Sequence, residues 1–79
     1  MAVFKLQLKD GRERLIEAGR AGRTADGHIV IEDTDSLGVW DCLEEYPADD
    51  VAAVYRRGPA ESGIYTWIPQ PVEGRWWSY

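Results

Sequence analysis

Along residues 2–9 apolar and polar side chains alternate strictly, with Phe4, Leu6 and Leu8 on one side and Val3, Lys5, Gln7 and Lys9 on the other. A period of two belongs to a strand with one face buried and one in water. Asp10-Gly11 then predicts a two-residue type I′ hairpin turn, whose central positions both need positive φ. Residues 12–18 return as a second strand in which Leu15 and Ile16 are adjacent, so one of them faces outward or sits at a bulge. Residues 19–27 repeat Ala-Gly-Arg, at 18–20 and 21–23, and end in Asp26-Gly27, which predicts a mobile loop closed by a second turn. Residues 28–33 form a third strand with Ile29 and Ile31 opposite Val30, and residues 34–38 turn the chain again.

The stretch from 38 to 58 organises the rest, because two apolar-bearing runs meet there at a Pro-Ala-Asp-Asp corner. One reading makes 47–57 a helix, opened by Pro47, with Asp49 and Asp50 in its positive first turn and Gly58 as its cap. The other makes 40–46 and 51–57 strands joined by a single 3₁₀ turn at 47–50. Val51, Val54 and Tyr55 favour strands, and the preceding strand pairs need a closing partner, so the second is preferred. The expected fold class is mainly all-β, a five- to six-stranded antiparallel barrel; the alternative is α+β with a helix at 47–57.

Beyond residue 58 the texture changes. Pro59, Gly63, Pro69, Pro71 and Gly74 punctuate a segment that holds Tyr65, Trp67, Trp76, Trp77 and Tyr79, five of the nine aromatic residues. A sixth strand fits at 64–68, but the prolines confine it to an edge strand or a lid. The expected organisation is a barrel over 1–58 and an aromatic, proline-rich extension over 59–79 that does not fold by itself.

Five short strands, the turns at Asp10-Gly11 and Asp26-Gly27, and the corner Tyr46-Pro47-Ala48-Asp49-Asp50-Val51 together resemble the SH3-like small β-barrel over residues 2–57. The resemblance is architectural. It implies a peptide-binding, nucleic-acid-binding or ring-forming module without choosing among them.

Charge sharpens this picture. Residues 1–25 carry six basic and three acidic side chains, residues 26–50 nine acidic and no basic ones, and residues 51–79 three basic and two acidic, giving a net charge of −5. The acidic middle, represented by Asp33, Asp35, Asp41 and Glu44, can steer a basic partner. Trp67, Trp76, Trp77 and Tyr79 can anchor a second chain, since tryptophan and tyrosine dominate interfaces. A chain of 79 residues buries only about 60–65% of its unfolded surface. Self-association through the tail is therefore expected to add stability. The basic hairpin and glycine loop, with Arg12, Arg14, Arg20 and Arg23, offer an alternative role as a nucleic-acid-associated regulator, which a sequence pI near 4.7 disfavours.

Candidate chemistry subtracts more than it adds. Asp33, Asp35, Gly38, Asp41 and Glu44 match the spacing of a calcium loop, but Leu37 stands where the loop needs an oxygen and a strand precedes it where a helix is required. His28 and Cys42 are each single, which closes no structural zinc site, and they are expected as an edge imidazole beside a core thiol. No internal disulfide can form. No apolar run nears the roughly 20 residues of a membrane span. The expectation is a cytoplasmic, non-catalytic protein-interaction or assembly module with no cofactor or metal, acting without a membrane and with itself or another protein as partner.

Overall fold

The computed structural model describes residues 2–59, 63–71 and 73–79, and these form eight strands and one 3₁₀ turn. The strands are β1 (Ala2–Leu8), β2 (Glu13–Ala18), β3 (Arg20–Arg23), β4 (His28–Thr34), β5 (Trp40–Pro47), β6 (Val51–Pro59), β7 (Tyr65–Gln70) and β8 (Trp76–Ser78). They make two antiparallel four-stranded sheets, ordered β2-β1-β6-β7 and β5-β4-β3-β8. The chain crosses between the sheets at Gly19, where β2 bends into β3, and at the corner Ala48–Asp50, where β5 passes into β6.

The alternation in β1 has the predicted consequence. Phe4, Leu6 and Leu8 are buried, and they meet Ile16 and Ala18 from β2, Val51 and Val54 from β6, and Ala21, Ile29 and Ile31 from the second sheet. Each large apolar side chain so buried contributes about 1.5–3 kcal/mol. At the adjacent pair in β2, Ile16 joins the core and Leu15 is exposed. The ladder irregularities fall elsewhere, at Gln7/Leu8 and at Ile31/Glu32.

The corner is the 3₁₀ turn Ala48–Asp50 followed by a strand, so the helix over 47–57 does not form. Pro47 enters it in an extended conformation with φ −58° and ψ 136°. Backbone bonds hold the turn at both ends, from Ala48 N to Gly27 O at 2.9 Å and from Lys9 N to Asp50 O at 3.0 Å.

Four expectations need correction. The five- to six-stranded closed barrel is replaced by eight strands in two open sheets, because β7 and β8 prolong one edge of each sheet and no ladder joins the other edge strands, β2 and β5. The loop expected at 19–27 contains β3, since β4 and β8 pair with Arg20–Arg23 from both sides. The first hairpin turn is not type I′. Asp10 keeps negative φ while Gly11 has φ +94°, and Gly11 N bonds Leu8 O at 3.0 Å while Leu8 N bonds Arg12 O at 2.8 Å. This is a type I turn closed by a glycine bulge, and the same pair of bonds recurs at Thr24/Gly27/His28 and at Asp35/Gly38/Val39. Finally, Cys42 is exposed on β5 opposite Glu32, whereas His28 lies at the far end of the ladder opposite Pro47, so thiol and imidazole do not meet and the thiol is not in the core.

Candidate functional site

β3 is the foundation of the most developed surface feature. Arg20 stands directly opposite Glu32 on β4, and its Nε and Nη2 lie 2.7 and 2.6 Å from the Glu32 carboxylate. The guanidinium is held between two indoles, with its carbon 4.0 Å from the Trp40 ring centroid and 4.4 Å from that of Trp77, while Tyr79 is 6.0 Å away. Tyr79 meets Trp40 edge-on at 6.2 Å between centroids. Stacking of this kind contributes roughly 0.5–2 kcal/mol per ring, rising as the cation loses water. Burial pushes the Arg20 pKa down, but its bonds to Glu32 and Tyr79 outweigh that and raise it, so the cation is permanent.

Two glycines make the stack possible. A Cβ at Gly19 would stand 2.8 Å from the Trp40 ring and 3.1 Å from an Asp33 carboxylate oxygen. A Cβ at Gly22 would stand 2.5 Å from the Trp76 carbonyl oxygen and collide with the Trp77 ring, which lies across it in the β3–β8 ladder. The Ala-Gly-Arg repeat thus serves close packing of indoles on backbone.

The acidic residues divide. Asp33 and Asp41 are directly opposite each other on β4 and β5. Asp33 accepts a bond from Thr34 N at 2.9 Å, and Asp35 folds its own turn by accepting from Leu37 N and Val39 N at 2.8 and 3.0 Å. Among the described residues no cation lies within ion-pair distance of Asp33, Asp35 or Asp41. Glu44 is spent internally. It accepts from Arg14 at 2.9 and 3.3 Å and from the Tyr46 hydroxyl. The bond from Arg14 lowers the Glu44 pKa against the opposing effect of burial, and the bond to Glu44 raises that of Tyr46.

The four arginines of the basic hairpin and loop are also committed. Arg12 pairs with Asp10 at 2.7 Å, Arg14 with Glu44, Arg20 with Glu32, and Arg23 donates to the Gly74 carbonyl at 2.7 Å.

The aromatic tail is split between the two sheets. Trp77 and Tyr79 belong to the Arg20 stack, and Trp76 packs against the core. Trp67 lies on the first sheet, where Lys5 Nζ sits 4.8 Å from its ring and 4.9 Å from that of Tyr55. Trp76 Nε1 and Arg23 Nε, on opposed residues, are buried donors with no acceptor among the described residues.

Sequence reasoning missed Trp40, Glu32, Lys5 and Tyr55 as members of these clusters. Their signal is cross-strand register, which becomes visible only once β3 is recognised as a strand. Chemically, the face around Arg20 offers aromatic rings, a fixed cation and, in Asp33 and Asp41, two carboxylates with no cation at ion-pair distance among the described residues. Among the described residues no group of three metal-ligating side chains converges, and no helix is long and apolar enough to cross a membrane. Compared with models of protein families, with curated proteins and with solved structures, the chain matches none.

Proposed function

We propose that the protein is a non-catalytic interaction module whose second sheet, around Arg20, receives a basic segment of a partner protein. The observation that carries this reading is the convergence of the Trp40 ring and the Asp33 carboxylate on Gly19, beside a guanidinium already clamped by two indoles. Trp40 and Trp77 remain 37% and 39% exposed and Tyr79 65%, which leaves large aromatic area for a partner at little cost in side-chain entropy. Like charges directly opposite in a ladder are unfavourable, so Asp33 and Asp41 gain from a cation delivered between them. Nine acidic and no basic residues over 26–50 would draw such a partner in.

The reading extends to association of two copies through the tail, because β7 and β8 are outermost strands with free ladder edges. At the level of fold, the path through both sheets at Gly19 and the 3₁₀ corner before β6 are similar to the SH3-like architecture, a likeness that does not choose among functions.

An NMR titration with an arginine- and lysine-rich peptide, against an acidic peptide of equal length, tests the basic-partner reading. Shifts gathered at Gly19, Asp33, Trp40, Asp41 and Trp77, weakening with salt and lost in Asp33→Asn/Asp41→Asn, are expected. Equal shifts with the acidic peptide would refute it. Light scattering across concentration tests association, and a constant monomer mass would remove that part.

A further inference from the structure

We propose that the basic segment of the partner binds as an extended strand added to the open edge of β5, held by main-chain hydrogen bonds and selected by the carboxylates of β5. This inference rests on the basic-partner reading above and supplies the way in which such a segment is seated.

β5 ends its sheet. It pairs with β4 on one side, and among the described residues no strand pairs with the other. The turn that opens β5 shows which groups that free side carries. Asp35 N donates to Val39 O at 2.9 Å, so Asp35 and Val39 form a hydrogen-bonded pair. Opposed pairs of an antiparallel ladder alternate between bonded and non-bonded, which makes Thr34–Trp40 non-bonded, Asp33–Asp41 bonded and Glu32–Cys42 non-bonded. Trp40 and Cys42 therefore turn their backbone N–H and C=O away from β4, toward the open edge. The side-chain link from β2 does not close that edge, because Glu44, opposite the buried Ile31, turns inward to Arg14 while Trp40, Asp41, Cys42 and Leu43 stay exposed.

The other sheet edges suit an added basic strand less well. β8 has only three residues, β7 carries Pro69 and no charge, and β2 carries charge of both signs in Glu13, Arg14 and Glu17. β5 has eight residues, its proline comes last, and it bears no lysine or arginine. Among the described residues Asp41 has no cation at ion-pair distance, and Glu45 has only the His28 imidazole, at 4.0 Å. Side chains opposed on neighbouring strands attract when their charges are opposite and repel when they are alike. An acidic strand, including β5 of a second copy, is thus turned away and a basic one is drawn in. Trp40 and Leu43, 37% and 49% exposed, offer apolar area on which the stems of lysine and arginine can lie.

The test titrates the full chain with a peptide of about nine residues that alternates valine with lysine or arginine. Two analogues are N-methylated at every second residue, one set for each edge of the peptide strand. The analogue methylated on the edge that faces β5 should lose affinity by about tenfold or more, while the other binds as the parent does. Hydrogen exchange at the Trp40 and Cys42 amides should slow by about tenfold or more with the parent peptide bound. Glu45→Gln, outside the Arg20 stack, should weaken binding, and Cys42→Pro should abolish it, since proline removes an edge N–H and leaves the β4 ladder its bonds. Equal affinity of the two analogues, or unchanged exchange at Trp40 and Cys42 in the complex, would overturn strand addition while leaving the basic-partner reading in place. No binding of the parent peptide would refute both. Should Cys42→Pro fail to fold, the analogues and the exchange rates decide by themselves.

Discussion

Arg14 on β2 and Glu44 on β5 join the two sheets by side chains where no backbone ladder does, through hydrogen bonds of 2.9 and 3.3 Å between the outer strands. Tyr46 completes the contact by donating its hydroxyl to the same carboxylate. Removing one partner leaves the other polar group at the rim of the core without its match. Glu44→Gln should therefore lower the melting temperature by a few degrees, and Arg14→Ala in the same background should add little, because both changes break one contact. Additive losses would show that the two residues act separately.

The same contact sets an acid limit. Because Arg14 and Tyr46 hold the Glu44 pKa below its ordinary value of 4.5, its stabilisation is complete above that value and disappears as pH falls through the lower folded pKa. The difference in melting temperature between wild type and Glu44→Gln should narrow as pH falls below 4.5 and close once pH has passed below the lowered folded value. Tyr46 works in the opposite direction. Its pKa is raised from 10.0, so its share is present below pH 10 and lost as pH climbs through the folded value. A wild-type advantage that persists unchanged into strong acid would contradict the assignment to Glu44.

Gly22→Ala tests the packing of the tail. The added methyl meets the Trp76 carbonyl and the Trp77 ring, so β8 must move off β3 or the ladder must bend. Overpacking of this kind costs about 1–3 kcal/mol. Tryptophan fluorescence should shift to the red as Trp77 leaves the Arg20 stack, and thermal melting should report the loss. A variant with native fluorescence and stability would mean that the tail is not seated on Gly22.

Cys42 is accessible but should react slowly. Burial of the thiol and then the nearby Glu45 and Glu32 carboxylates raise its pKa above the ordinary 9.0, so little thiolate forms near neutrality. Alkylation by iodoacetamide at pH 8 should proceed more slowly than for a free cysteine peptide, and Glu45→Gln should accelerate it. A rate equal to that of the peptide would show that the carboxylates do not act on the sulfur.

Much of the fold was legible because it rests on local rules. The alternation at Phe4, Leu6 and Leu8 defined β1 and its buried side, and the glycines at 11 and 27 marked turns. The type of turn was not legible. Asp-Gly suits both a two-residue type I′ turn and a type I turn with a glycine bulge, and the choice depends on how many residues the flanking ladder consumes. The loop reading of 19–27 failed for a related reason. Glycine is unfavourable in an isolated strand, and only Trp40 and Trp77, arriving from remote parts of the chain, explain why the backbone there must be bare.

The candidate site divides along the same line. Residue types sufficed to nominate Trp77, Tyr79, Asp33 and Asp41, and to show that acidic charge is concentrated in 26–50. Assignment of partners required register: Glu44 and Arg14 were nominated for opposite roles, and the structure joins them to each other.

By itself the sequence determined the main apolar face and the charge segregation, and it favoured an all-β chain with a 3₁₀ corner over a helix at 47–57, because each of these follows from neighbours a few residues apart. Tertiary structure alone decided that two open sheets form and that Arg20 is clamped between Trp40 and Trp77. Those outcomes depend on contacts between residues far apart in the chain, such as Arg20 and Trp77, and on which strand lies beside which, information that no local pattern carries.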